Sequence, residues 1–291
     1  MTTTVTPTRT PDEVTVLVTL HPYRGRMQLK NLNRNKPVER RGRNATILAF
    51  LVFLLYASAR YLVYASMPIE DFADWAVRDT IMNGPRLLAL VLAVTLGIST
   101  WGTARLGLHT RGAKPAALIF VLYFVLLWLP VFWLRTTPVN LGASALIVLT
   151  LSSFLVAGWE EILYRGVFVN AIADWKGSRA AVWGSSFLFT IMHIQAQPLS
   201  GWPSIFLCGM LFALMRVQGV GLPWLILSHA VFDSLVFIGA TGESLVPDVI
   251  TALFLFRALF VFSYYLTTKP HFEVRAADVP PMNAGLLTWK N

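Results

Sequence analysis

The chain has 291 residues, of which 55% are hydrophobic and only 13% are charged, and its mean hydropathy is +0.59. A soluble domain carries far more charge on its surface, so this composition excludes an ordinary globular protein and indicates membrane helices. The formal net charge is +9. No recognition module accompanies the basic residues, and we therefore expect no nucleic acid as a partner.

Apolar runs long enough to cross a bilayer recur along the chain. They predict an all-α integral membrane protein, a bundle of about eight transmembrane helices. The predicted helices are 45–66, 86–102, 116–134, 143–173, 179–195, 202–217, 221–240 and 248–267. Three parts follow from this pattern: a basic N-terminal segment (1–43), a polytopic membrane domain (44–268, with its motifs in 143–240) and a tail (269–291).

Basic residues near helix ends indicate which way the chain crosses the membrane. A cluster of Lys and Arg between Arg24 and Arg43 precedes the first predicted helix, and Lys269 follows the last one. The first predicted loop is acidic instead, with Glu70, Asp71, Asp74 and Asp79. We therefore predict a multi-pass protein of the cell membrane, in contact with the lipid bilayer, with both termini cytoplasmic.

Two adjacent carboxylates, Glu160 and Glu161, interrupt the apolar run of the fourth predicted helix. A charge at the centre of a membrane helix costs roughly 3 kcal/mol on insertion scales, so the pair points to catalysis or ion handling. Arg165 follows Glu161 at i,i+4 on the same helix face and predicts an ion pair. Glu160 points about 100° away and must find partners on other helices or hold a proton. A salt-bridge cluster at the membrane interface is the alternative.

Two later helices contribute histidines. Phe189 and His193 form a Phe-x-x-x-His pattern, in which a lone histidine also fits a purely structural role. His229 and Asp233 are spaced i,i+4, so the imidazole and the carboxylate face the same direction. This spacing suits a carboxylate that orients a histidine, two ligands of one ion, or a buried pair that holds two helices together.

These three patterns, in this order, resemble the motifs of the CPBP family of intramembrane proteases, which includes type II CAAX prenyl endopeptidases and bacteriocin-processing or immunity proteins. The resemblance covers residues 143–240. It implies an intramembrane endopeptidase that acts on a peptide or membrane-anchored protein. Glu160 would be the general base, assisted by His193, and Glu161 would be structural, held by Arg165.

The last motif departs from the family pattern. The resemblance implies that His229 and residue 233 stabilise the oxyanion of the tetrahedral intermediate, with Phe189 supporting the site. Many members have Asn at the last position, whereas this chain has Asp233. An ionised Asp cannot donate a hydrogen bond to an oxyanion. Asp233 therefore holds a proton, orients His229 or helps to bind a metal.

The sequence leaves alternatives open for both the metal dependence and the activity. Two histidines and up to three carboxylates could form a zinc site, yet the H-E-x-x-H spacing of zincins is absent. We expect a glutamate mechanism that requires no cofactor, with zinc as the alternative. The competing functions are a catalytically silent relative that binds peptide, as an immunity protein does, and a proton- or cation-coupled transporter. Against the transporter, no inverted repeat is visible.

Overall fold

The computed structural model describes residues 36–68, 72–108, 143–194, 199–217 and 219–239, which are helical apart from short turns. The helices are α1 (Lys36–Ser66), α2 (Phe72–Leu106), α3 (Ala143–Glu160), α4 (Val169–Lys176), α5 (Ser178–Met192), α6 (Trp202–Val217) and α7 (Leu222–Gly239). A π-helical segment, Glu161–Phe168, joins α3 to α4, and a 3-10 turn, Leu199–Gly201, precedes α6. The prediction of an all-helical fold is confirmed for the residues that the structure describes.

Three helical stretches are long and apolar enough to cross a membrane: Lys36–Ser66, Ala76–Leu106 and Leu146–Lys176. The chain is therefore a membrane protein with several spanning helices. The count of eight stays a prediction, because the predicted helices 116–134 and 248–267 lie outside the described residues. The same holds for the tail (269–291) and for most of the basic N-terminal segment.

The second helix begins much earlier than its apolar run suggests. It starts at Phe72 rather than at residue 86, and α1 likewise starts at Lys36 rather than at 45. The placement of Asp74 and Asp79 in a loop was therefore wrong: both lie in α2, where Asp79 is buried and paired with Arg86. The two residues are seven apart, about two helical turns, so they share a face and neutralise each other. Ser152 of α3 donates a further hydrogen bond to Asp79. Glu70 and Asp71 lie outside the described residues.

The stretch from α3 through the π segment to α4 is the most enclosed of the three candidate spans. In its most apolar window 56% is buried, against 28% in α1 and 17% in Ala76–Leu106. α2 and α7 pack against α3, whereas α5 packs against both α4 and α6. The chain reverses between α4 and α5 at Gly177, whose φ of 87° lies in the left-handed region that favours glycine.

One carboxylate, Asp174 of α4, ties α4 to two other helices. It accepts hydrogen bonds from Arg41 of α1 at 2.9 Å, from Trp101 of α2 at 3.0 Å and from Arg105. α1 comes close enough because residue 42 is Gly42: a Cβ there would lie 2.6 Å from the Asp174 Cβ. The side chain of Asp174 is 5% exposed, and those of the two arginines about a quarter. The carboxylate therefore compensates two partly buried cations.

We expect Asp174→Asn to lower the thermal stability of the purified protein in detergent. Removing one partner of a buried ion pair costs about 3–5 kcal/mol, and less where the cations reach solvent. The matched control is Glu39→Gln, which neutralises an exposed carboxylate of α1 and should change the melting temperature little. Equal melting temperatures of Asp174→Asn and wild type would contradict the role given to Asp174.

Candidate active site

The adjacent glutamates lie at a change of helix type. Glu160 is the last residue of α3 and is 4% exposed, whereas Glu161 opens the π segment and is fully buried. At the other end of the segment the Val169 N–H bonds to the Tyr164 carbonyl five residues earlier, which is the π-helical spacing. The uniform α-helix predicted over 143–173 is thus interrupted where the charged residues lie. Such π segments are frequent at functional sites.

His229 of α7 contacts both glutamates. Its Nδ1 lies 2.8 Å from Glu161 Oε1, and its Nε2 lies 3.8 Å from Glu160 Oε2. Asp233, one turn further along α7, has its Oδ2 3.6 Å from the same Nε2. The imidazole is buried, and only the Nδ1 contact is short enough for a hydrogen bond. Glu161 therefore fixes the ring, while Nε2 faces Glu160 and Asp233.

Arg165 is the second partner of Glu161. Its Nη1 lies 3.3 Å from Glu161 Oε1, and both side chains are almost completely buried. The guanidinium also lies 4.2 Å from the ring centroid of Phe189 and 5.2 Å from that of Phe212. Aromatic faces attract a cation, so the two rings stabilise the buried charge in addition to the carboxylate. The predicted i,i+4 ion pair is confirmed.

His193 lies just beyond the end of α5 and is held by its own helix. Its Nδ1 lies 2.8 Å from the Phe189 carbonyl oxygen, and its ring centroid 4.6 Å from that of Phe189. A carbonyl only accepts, so Nδ1 carries the hydrogen of this bond, and Nε2 of the neutral ring is left as an acceptor. The Phe-x-x-x-His spacing thus fixes the tautomer of His193.

The structure brings the predicted site residues together unevenly. Glu160, Glu161, His229 and Asp233 form one group, with the Glu161 carboxylate between Arg165 and His229. Phe189 lies against both Arg165 and the two histidine rings. His193, by contrast, forms its hydrogen bond with Phe189 and no direct hydrogen bond with Glu160 among the residues that the structure describes.

Sequence reasoning missed the polar residues that α1 and α2 bring to the bundle. Arg60 of α1 is buried, and its Nη1 donates a 2.7 Å hydrogen bond to the Met192 carbonyl, next to His193. Arg86 bonds to Asp79 and, at 3.1 Å, to Ser152. The signal was present, because an ionisable residue inside an apolar helix is itself a candidate functional residue.

The carboxylates and imidazoles do not form an evident metal centre. Within the described ranges, no three Asp, Glu, His or Cys side chains converge on a point that could hold an ion. Two of the candidate donors are engaged instead: His229 Nδ1 with Glu161, and Glu161 Oε1 with Arg165 as well. The steps proposed below are therefore assigned to the side chains alone.

The fold and this site define a helical membrane protein with a buried glutamate–histidine centre. Residues 142–235 match the family model described as type II CAAX prenyl endopeptidase Rce1-like. The chain therefore contains a domain of the Rce1-like type II CAAX prenyl endopeptidase (CPBP) family, which confirms the resemblance of the motifs. Proteins of this family are intramembrane peptidases. No curated protein and no solved structure matches the chain.

We expect Glu161→Gln and Arg165→Met each to lower thermal stability, because each leaves a buried charge without its partner. Breaking a buried pair costs about 3–5 kcal/mol. The double variant, which strands neither member, should be less destabilised than the sum of the two single variants. Strictly additive losses in melting experiments would show that the two residues do not stabilise each other.

Proposed function

We propose that the chain is an intramembrane endopeptidase that hydrolyses a peptide bond with water activated by Glu160. The substrate is a peptide or a membrane-anchored protein that reaches the site from the bilayer. The observation that carries the proposal is the contact of His229 with both glutamates, inside a domain whose family consists of intramembrane peptidases. We further propose the cell membrane as its location, with both termini cytoplasmic.

The contacts of the two glutamates support different roles for them. Glu161 Oε1 is occupied by Arg165 and His229, so this carboxylate holds the site together. Oε2 of both glutamates lacks a hydrogen-bond partner among the described residues, but Glu160 is held more loosely: its contact with His229 Nε2 is 3.8 Å long, against 2.8 Å for that of Glu161 with Nδ1. A general base must be free to bind the proton that it removes. Glu160 is therefore the better candidate for the base.

The remaining groups fit the attack of water, the stabilisation of the oxyanion and the release of the leaving nitrogen. Water attacks the carbonyl carbon as Glu160 takes one of its protons, and His193 Nε2 accepts a hydrogen bond from the other. The carbonyl electrons move onto the oxygen, which becomes the oxyanion. With protons on both nitrogens, His229 donates Nδ1–H to Glu161 and directs Nε2–H to that oxyanion. The proton on Glu160 then passes to the leaving nitrogen as the C–N bond breaks.

Asp233 is proposed to act as a second donor to the oxyanion. The task of orienting His229 falls to Glu161, which bonds its Nδ1 at 2.8 Å. Asp233 lies on the Nε2 side of the ring, at 3.6 Å, and so faces the region where the negative charge would form. A carboxyl can donate there only in its protonated form, in which it replaces the Asn of many family members.

Glu160→Gln should abolish cleavage while leaving the melting temperature near that of wild type. The substitution keeps the side-chain volume and removes the group that takes the proton. Removing a general base lowers the rate by about 10²–10⁴-fold. The assay uses purified protein in proteoliposomes, with a prenylated CAAX peptide as one probe and a set of membrane-anchored peptides as another.

The matched control for that assay is Glu39→Gln, the same substitution at an exposed position of α1, which should cleave as wild type does. Cleavage by Glu160→Gln at the wild-type rate would show that Glu160 is not the base. No cleavage of any probe by the wild-type protein, together with proton or cation flux, would favour the transporter instead.

Asp233→Asn should retain substantial activity and extend it to higher pH, because an amide donates a hydrogen bond without needing a bound proton. The measurement compares the pH–rate profiles of the two purified forms, with metal analysis of both. If Asp233 acted instead as an anionic metal ligand, Asn would weaken metal binding and chelators would inhibit the wild type. A stoichiometric metal that is lost from Asp233→Asn together with activity would contradict the donor role.

A further inference from the structure

A buried arginine of α1 contacts the end of the helix that carries His193. Arg60 is 7% exposed, and its Nη1 donates a hydrogen bond of 2.7 Å to the carbonyl oxygen of Met192. Met192 is the last residue of α5, so this carbonyl belongs to the peptide group that joins α5 to His193. Arg60 lies outside residues 142–235, the part of the chain that matches the family model.

Arg60 differs from the other arginines of α1 and α2 that contact a carboxylate directly. Arg41 and Arg86 pair with Asp174 and Asp79, respectively. Among the described residues, no carboxylate lies within ion-pair distance of Arg60, although its charge interacts favourably with that of Glu160. The ring of Tyr64 lies 4.9 Å from the guanidinium. A buried charge without a counter-charge destabilises a fold. Arg60 thus has no close ion-pair partner, and its guanidinium is instead directed by a hydrogen bond to the end of α5.

The hydrogen bond from Arg60 to Met192 is well placed to set the position of His193. The last carbonyls of a helix have no intrahelical partner, and a cation there also interacts favourably with the helix dipole. The side chain and the N–H of His193 are already held, by the Phe189 and Thr190 carbonyls. Arg60, on a different helix, holds the peptide group that precedes His193. The contact therefore helps to set the orientation of the His193 side chain.

We propose that Arg60 is a positioning residue, which holds the Met192–His193 peptide group so that His193 Nε2 faces the water used in hydrolysis. This inference rests on the proposed function, in which His193 assists Glu160. Small displacements of a group that takes part in the reaction lower the rate strongly, by about 100-fold for 1 Å. Through this contact, a residue of α1 helps to position a group that takes part in the reaction.

The test compares Arg60→Met, Arg60→Lys and Arg41→Met in proteoliposomes, with the prenylated CAAX peptide as the probe. Arg60→Met should lower kcat by about 10–100-fold with little change in KM, since it displaces a reacting group and not a substrate contact. Its melting temperature should stay near that of wild type, so that the loss of kcat is not a loss of folded protein. Arg60→Lys keeps the charge and a donor, and should recover part of the lost kcat.

Arg41→Met is the matched control, because it makes the same change on the same helix at the contact with Asp174. It should lower the melting temperature and leave kcat per folded molecule unchanged. The inference is overturned if Arg41→Met lowers kcat as much as Arg60→Met does. It is also overturned if Arg60→Lys is no more active than Arg60→Met.

Hydrogen exchange gives a readout that needs no substrate. In Arg60→Met the amides of residues 191–194 should exchange faster than in wild type, while the amides of the π segment keep their protection. Unchanged exchange at 191–194 would overturn the inference even if cleavage were lost. Failure of the wild type to cleave, in contrast, would overturn the proposed function, so the two failures are distinguishable.

Discussion

The structure depends on one buried carboxylate oxygen, Glu161 Oε1, which lies 3.3 Å from Arg165 Nη1 and 2.8 Å from His229 Nδ1. An isolated charge buried here would be strongly unfavourable, and the contacts among the three groups compensate the cost of burying them. The same oxygen joins the π segment to α7 and sets the orientation of the His229 ring. The other functional groups are placed relative to this contact.

Two consequences follow from the engagement of Glu161. Its neighbour Glu160 lies 3.8 Å from His229 Nε2, beyond hydrogen-bond distance, and so can bind a proton, as the proposed general base must. The Nε2 atom of His229 is turned toward Glu160 and Asp233, where a developing negative charge can be stabilised. In the proposed mechanism, the two adjacent glutamates therefore take different roles because only Glu161 forms short contacts with both Arg165 and His229.

Much of the site follows from spacing along single helices. The Glu161–Arg165 pair and the alignment of His229 with Asp233 are i,i+4 relations, which a helix imposes wherever it forms. The contact of both glutamates with one imidazole could not be predicted in this way. An unbroken α-helix directs neighbouring side chains about 100° apart, and the π segment that begins at Glu161 changes this relation.

The polar residues of α1 and α2 were missed for a related reason. A run of charges before an apolar stretch is read as a loop, so Asp79 was placed outside the helix that contains it. Its partner Arg86 and the Ser152 contact are tertiary relations that spacing alone does not reveal. Arg60 is hidden within an apolar run, and only the folded chain shows its contact with Met192.

The most direct test of the central claim, that this buried centre hydrolyses peptide bonds, is to compare peptide termini in cells that carry the wild-type chain and cells that carry Glu160→Ala at equal abundance. The account predicts that a discrete set of membrane-anchored proteins or peptides accumulates uncleaved in the Glu160→Ala cells. The corresponding new termini should occur only with wild type. Identical sets of termini in the two cell populations would contradict it.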